Sequence, residues 1–130
     1  MKSEGNMVPI VVAAVAVIAL GINPASAAQV DPLHPGLLRV LDGVITAARA
    51  ADRPVSVCGE MAADPFGSIA LAALGVDSLS VPVTQWVAIR QAVFAVNPTR
   101  IAGLRADLLC RRASAEVRKL LTEWRRDGAG

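Results

Sequence analysis

Residues 54–65, which read PVSVCGEMAADP, decide the fold of this chain. Val55 and Val57 are β-branched and alternate with two smaller residues, a pattern that is typical of a buried strand. Gly59 then permits a sharp turn. Asp64 stands before a proline, which predicts a helix start because the carboxylate can accept hydrogen bonds from the free amides of the first turn. The stretch therefore predicts a strand, a short loop and a helix.

This order places Cys58 at the carboxyl end of the predicted strand, residues 54–59. In parallel α/β sheets and barrels, ligands and catalytic groups collect at that edge. Residues 65–74 are almost entirely apolar, so the following helix is expected to be buried on several sides. Gly75 is a natural stop for it, and residues 76–81 predict a second strand. Two strands joined by a helix favour a parallel pair with a right-handed crossover.

Helices are predicted on both sides of this unit. Apolar residues at helical spacing predict a helix that ends near Ala51, and Asp31 and His34 are its candidate caps. Three further helices are predicted after the second strand, with breaks at Asn97 and before Ser114. Four or five helices packed around two parallel strands define an α/β fold class.

The composition fits a single folded domain. Of the 130 residues, 54% are apolar and 18% are charged, which excludes a disordered composition. The net charge of +2 is too small to indicate a nucleic-acid partner.

Cys58 and Cys110 are interpreted as free thiols rather than as a disulfide. Seven arginines near the end of the chain alternate with apolar helix faces and acidic residues, so we interpret them as a solvated face: Arg100, Arg105, Arg111, Arg112, Arg118, Arg125 and Arg126.

Three segments resemble the carboxyl-terminal region of the phosphoenolpyruvate-utilising enzymes. Residues 57–62 read VCGEMA, residues 31–35 read DPLHP and residues 73–80 read ALGVDSLS. Over residues 31–124 the chain is similar to enzyme I, the phosphoenolpyruvate-protein phosphotransferase. The resemblance implies a partial (β/α)8 TIM barrel, made of the last two βα units and the C-terminal helices, with an N-terminal hydrophobic segment before them.

The resemblance implies that Cys58 is catalytic, as the proton donor to the methylene carbon of enolpyruvate after phosphoenolpyruvate has lost its phosphoryl group. A thiol is mostly protonated near neutral pH and is a credible acid for this step. Gly59 and Glu60 would form the supporting loop, with the Glu60 carboxylate bonded to loop amides. Without the resemblance, a cysteine among valines is more simply a small buried apolar residue. Asp64 and His34 are interpreted as caps, and the phosphoryl-accepting histidine of the family lies in a separate, earlier domain.

The resemblance also implies ligands and partners. The family binds Mg2+ through a glutamate and an aspartate, and phosphoenolpyruvate through several arginines, all from earlier parts of the barrel. This chain has no matching positions, so we expect it to bind no metal and no cofactor and to transfer no phosphoryl group alone. The implied partners are phosphoenolpyruvate or pyruvate, a phosphocarrier protein, and a second copy or a full-length enzyme. The alternative function is a non-catalytic interaction module, or a membrane-associated or exported small protein.

Residues 1–28 form a hydrophobic segment with three interpretations. Lys2, the apolar run of residues 7–22 and the Ala-x-Ala end at residues 25–27 are typical of a secretory signal peptide. An uncleaved anchor is the related interpretation, although the run is short for a spanning helix of about 20 apolar residues. The third interpretation is that the segment is a relic of a barrel strand.

These patterns divide the chain into three parts. After the hydrophobic segment, residues 29–126 are the predicted barrel fragment and residues 127–130 a disordered tail. Because the family acts on a cytoplasmic metabolite, we expect a cytoplasmic protein. Membrane association or export through residues 1–28 is the alternative.

Overall fold

The computed structural model describes residues 31–96 and 98–127. These residues form six helices and two strands, which are, in chain order, α1 (Pro35–Ala50), β1 (Ser56–Cys58), α2 (Glu60–Ala63), α3 (Pro65–Leu74), β2 (Ser78–Ser80), α4 (Trp86–Phe94), α5 (Pro98–Cys110) and α6 (Ser114–Asp127). The two strands pair in parallel, with Ser56 opposite Ser78 and Cys58 opposite Ser80. The described chain is therefore an α/β unit that is mostly helical, with a small parallel sheet.

Both strands are shorter than the predicted ranges 54–59 and 76–81. Just before β1, the Val55 amide donates to the Asp77 carboxylate at 2.7 Å and not to a strand partner. The Val55 carbonyl accepts from the amides of Asp77 and Ser78 at 3.0 and 3.3 Å. These bonds occupy the backbone before the regular ladder begins. At the other end, Gly59 turns the chain away from the sheet with a φ of 93°.

The caps of α1 and α3 are confirmed. The Nδ1 atom of His34 accepts from the Gly36 amide at 3.1 Å, and Pro35 occupies the first turn of α1. The Asp64 carboxylate accepts from the Gly67 amide at 2.7 Å at the start of α3. At the end of α3, Gly75 adopts the left-handed conformation that was expected of a stop residue.

The helix α2 was not predicted, because the sequence indicated only a loop between Cys58 and Asp64. The four residues Glu60–Ala63 form one turn instead. Asp64 then adopts an extended conformation, with φ −93° and ψ 133°, and this separates α2 from α3. The run of good helix formers in α2 was the signal available in the sequence.

The core is built around α3, which packs against α1, α4, α5 and α6. Its apolar residues are buried on several sides, as predicted for a helix that is apolar all round. The surrounding helices contribute side chains that are fully buried, among them Leu38, Leu104, Leu108, Val117 and Leu121. Aliphatic packing therefore fills the interior, in line with the low aromatic content.

Arginine side chains connect the outer helices through ion pairs and hydrogen bonds. Arg105 on α5 makes a two-bond ion pair with Asp42 on α1, at 2.6 and 3.1 Å. Arg118 on α6 reaches Asp31 at 2.9 Å, just before α1. Arg39 donates to the carbonyl oxygens of Leu109 and Arg111 at 3.2 and 2.7 Å. Arg105 and Arg118 are 41% and 49% exposed, in line with the predicted solvated face, and each also pairs with an acid that lies far away in the sequence.

The predicted ends of the chain can be placed only in part. The helix α6 extends to Asp127, so this residue is helical rather than the first residue of a disordered tail. Residues 128–130 and the predicted hydrophobic segment 1–28 lie outside the described residues. Within the described ranges, no helix combines the length and the apolar character that crossing a membrane requires.

Candidate functional site

Cys58 is the last residue of β1, and its side chain is exposed. It stands opposite Ser80, the last residue of β2, so both residues lie at the carboxyl edge of the parallel sheet. The sequence predicted this position from the strand and loop pattern. The interpretation of Cys58 as a small buried apolar residue is wrong, because the side chain is accessible from solvent.

The backbone after Cys58 depends on Gly59. Its φ of 93° and ψ of −169° lie in a region that is essentially restricted to glycine. A Cβ atom at this position would meet nothing within 4 Å, so the requirement is conformational and not a matter of space. The turn at Gly59 ends β1 and starts α2, and it thereby fixes the direction in which the chain leaves Cys58.

Glu60 begins α2 and is exposed. An acidic side chain in the first turn of a helix is favoured by the free amides there. The structure shows no hydrogen bond between the Glu60 carboxylate and any described residue, so the expected bonds to loop amides are not found. The supporting role of Glu60 stays a prediction.

A cavity of about 480 Å3 lies beside α2 and the start of α4, and Cys58 is not among the residues that line it. It is bounded by the link between α2 and α3 on one side and by the start of α4 on the other, and it is lined by Glu60, Ala63, Asp64, Pro65, Gln85, Ala88 and Ile89. Gln85 was not among the site residues expected from the sequence. The available signal was its position after the second strand and directly before a helix, which is the same edge at which Cys58 lies.

The charged groups at this edge do not form a metal site. Nowhere in residues 31–96 and 98–127 do three or more histidine, cysteine, aspartate or glutamate side chains come together to hold an ion. The carboxylate of Asp64 is engaged by the Gly67 amide. The ring of His34 is engaged in the cap of α1.

Comparison with known proteins identifies the family. Residues 19–97 match the family described as PEP-utilising enzyme, PEP-binding domain, where PEP is phosphoenolpyruvate. The match contains β1, β2 and the whole edge at which Cys58 lies. The chain therefore belongs to the PEP-utilising enzymes, and it covers part of their PEP-binding domain.

Individual relatives narrow this assignment. The chain is 41% identical over 101 residues to a multiphosphoryl transfer protein of Rhodobacter capsulatus, a match that covers 76% of this chain and 12% of the relative. It is 34% identical over 92 residues to a phosphoenolpyruvate-protein phosphotransferase of Haloferax volcanii, covering 71% of this chain and 16% of the relative. A multiphosphoryl transfer protein of Xanthomonas campestris is 53% identical over 58 residues, or 45% of this chain and 7% of the relative. The resemblance to the carboxyl-terminal part of enzyme I is confirmed.

These two matches cover most of this chain but only a small share of each relative. The chain spans 12% and 16% of the length of the Rhodobacter and Haloferax relatives, so most of each relative has no counterpart here.

Proposed function

We propose that this chain is the last part of a PEP-binding barrel of the enzyme I type, in which Cys58 protonates enolpyruvate. The observation that carries the proposal is the exposed thiol at the carboxyl end of β1, within a segment that matches the PEP-binding domain. This is the edge at which parallel α/β folds perform their chemistry.

A histidine nitrogen from outside this chain would accept the phosphoryl group, so that an N–P bond forms as the P–O bond of PEP breaks, and the electron pair stays on oxygen as the enolate of pyruvate. The S–H bond of Cys58 then breaks while a C–H bond forms at the methylene carbon, which gives pyruvate and a thiolate. Because the side chain is exposed, solvent can return a proton to the sulfur.

The neighbouring residues of this chain position the thiol. Gly59 holds the turn that directs the backbone away from the sheet. Glu60 and Asp64 face the cavity beside the edge, where Asp64 also caps α3. We propose that Gly59 and Glu60 are positioning residues, while Cys58 is the residue that touches the substrate.

The rest of the active site would come from outside this chain. No arginine lines the cavity formed by the described residues, and the carboxylates there do not form a metal site. We therefore derive no step through a metal from these residues. The chain alone is expected to transfer no phosphoryl group, and its proposed partners are PEP or pyruvate, a phosphocarrier protein and either a second copy or a full-length enzyme.

The barrel itself belongs to this proposal. Two consecutive strand–helix units, β1 with α3 and β2 with α4, are the repeating elements of a (β/α)8 barrel, and parallel pairing supports that relation. We propose that residues 29–126 are the barrel fragment, that residues 1–28 are a separate hydrophobic segment, and that the protein acts in the cytoplasm, where PEP is formed.

The test is a complementation assay with a phosphotransferase relative that lacks its own last two βα units. Mixed with the chain, PEP and a phosphocarrier protein, the pair is expected to form pyruvate, while the chain alone forms none. Cys58→Ala should abolish the activity of the mixture. Cys110→Ala, which removes the other exposed thiol, should leave it unchanged.

Two results would overturn the proposal. One is pyruvate formation by the chain alone that Cys58→Ala abolishes, because the chain would then contain a complete site. The other is full activity of the mixture with Cys58→Ala, because the proton would then come from another group. Circular dichroism of both cysteine variants checks that they fold.

A further inference from the structure

One face of the two-stranded sheet carries only small polar side chains. Both strands show the same pattern, in which the first and last residues are exposed and the middle residue is partly buried. The register places Ser56 opposite Ser78 and Cys58 opposite Ser80. Because successive residues of a strand point to opposite faces, these four exposed side chains lie on one face of the sheet.

The opposite face of the sheet packs on the helices. Val57 packs against the apolar core, and Leu79 lies in the wall of an apolar cavity that β2 forms with the end of α3 and with α4. The serine-bearing face therefore points away from the helices. In a (β/α)8 barrel the helices surround the sheet, so the face away from them is the barrel interior, which bulky branched side chains usually fill. Small hydroxyl side chains leave room there beside the thiol.

Ser80 carries the hydroxyl that the register places beside Cys58. Both residues end their strands at the carboxyl edge, and both are exposed. Neighbouring strands lie about 4.8 Å apart, so side chains at paired positions on the same face are adjacent. The Ser80 hydroxyl makes no side-chain hydrogen bond within residues 31–96 and 98–127, and it can rotate toward the sulfur.

We propose that the Ser80 hydroxyl donates a hydrogen bond to the Cys58 sulfur when the thiol gives its proton to enolpyruvate. The inference rests on the proposed role of Cys58. As the S–H bond breaks, negative charge develops on the sulfur, and a donor that bonds to the charged form favours that form. The O–H bond of Ser80 stays intact throughout. Glu60 cannot take this role, because an ionised carboxylate only accepts hydrogen bonds.

This role makes Ser80 a positioning residue, since it acts through the sulfur of Cys58 and not on the substrate. An interaction that strengthens only as the proton leaves the thiol speeds the chemical step without tightening the binding of PEP. Removal of the hydroxyl should therefore lower kcat and leave KM unchanged.

The test uses the full chain with Cys110→Ala, so that Cys58 is the only thiol. Iodoacetamide at neutral pH measures the reactive form, because the thiolate is the nucleophile. Ser80→Ala is expected to slow alkylation about three-fold, since the thiolate loses its donor. Ser80→Thr keeps the hydroxyl and should restore the parent rate. Ser78→Ala, on the same face but opposite Ser56, is the matched control and should change nothing.

The second measurement uses the complementation mixture with PEP and a phosphocarrier protein. Ser80→Ala should lower the rate at saturating PEP about three-fold with the same KM. Equal alkylation rates of the Ser80→Ala and Ser78→Ala variants would overturn the inference and leave the role of Cys58 standing. A Ser80→Thr variant as slow as Ser80→Ala would overturn it as well.

Failure of the role of Cys58 gives a different result, which is full activity of the mixture with Cys58→Ala. That result would overturn the catalytic part of this inference too. Circular dichroism of the serine variants checks that they fold. A slower reaction of the Ser80→Ala variant cannot come from hindrance, because the substitution removes an atom beside the sulfur.

Discussion

The helical layer (α1, α3, α5 and α6) and the sheet edge (β1, β2, α2 and α4) cover their apolar surface to different extents. The helical layer supplies most of the fully buried side chains of the core, among them Leu38, Leu104 and Leu121. The sheet edge leaves Trp86 and Phe94 largely exposed. The helices therefore form the buried core of the described part, while the face of α4 that carries Trp86 and Phe94 stays open to solvent.

The largest expected effect is a core truncation that tests this division within α1. Leu38 is fully buried and Val40 is 59% exposed on the same helix. Leu38→Ala should lower the free energy of unfolding by about 3 kcal/mol, because it removes buried surface and leaves a cavity. Val40→Ala should change it by less than about 0.5 kcal/mol. Urea denaturation of both variants measures the two costs, and similar losses would show that the exposed face of α1 is covered.

The next effect concerns the sheet edge and uses two glycines. Gly59→Ala should cost about 1–3 kcal/mol, because alanine is strained at its backbone conformation. Gly43 lies inside α1, where an added Cβ meets nothing within 4 Å. Gly43→Ala should therefore stabilise the chain by about 0.5–1 kcal/mol.

If the turn after β1 depends on Gly59, Gly59→Ala should lower the melting temperature and Gly43→Ala should raise it. In the complementation assay, Gly59→Ala should also lower the rate at saturating PEP, because the turn positions Cys58. A Gly59→Ala variant as stable as the parent would mean that the turn can relax, and the comparison between the two regions would lose its support at this position.

Features that rest on neighbouring residues could be predicted from the sequence. The bounds of α3 follow from Asp64, Pro65 and Gly75, whose chemistry acts within a few residues. The same holds for the cap of α1 by His34 and for the strand position of Cys58. In each case the deciding partner is adjacent in the chain.

Features that rest on distant partners could not be predicted. The bond between the Val55 amide and the Asp77 carboxylate joins residues that are 22 positions apart. The pairing of Arg105 with Asp42 spans 63 residues. The pattern of charges on α5 and α6 predicts which helix faces are exposed. It does not predict which acidic side chains the fold places beside them, so these arginines were interpreted only as solvated.

The smallest expected effect is at the entry to the helical layer, where Asp31 lies beside α6. Its carboxylate accepts from the Leu33 amide at 3.0 Å and from Arg118 at 2.9 Å. The pKa of Asp31 is lowered from its ordinary 3.8, first by the Leu33 hydrogen bond and then by the positive charge of Arg118.

A carboxyl group whose pKa is lower in the folded state than in the unfolded state stabilises the fold where it is ionised in both. The contribution of Asp31 should therefore be complete above its unfolded value near 3.8 and should disappear as the pH falls through the lower folded value. Because both side chains are partly exposed, the contribution is less than about 1 kcal/mol. Asp31→Asn should lower the midpoint of urea denaturation at pH 7 but not at pH 2. Asp107→Asn, on the exposed face of α5, should leave this midpoint unchanged at both pH values. An equal loss at both pH values would show that Asp31 acts through its shape and hydrogen bonds and not through its charge.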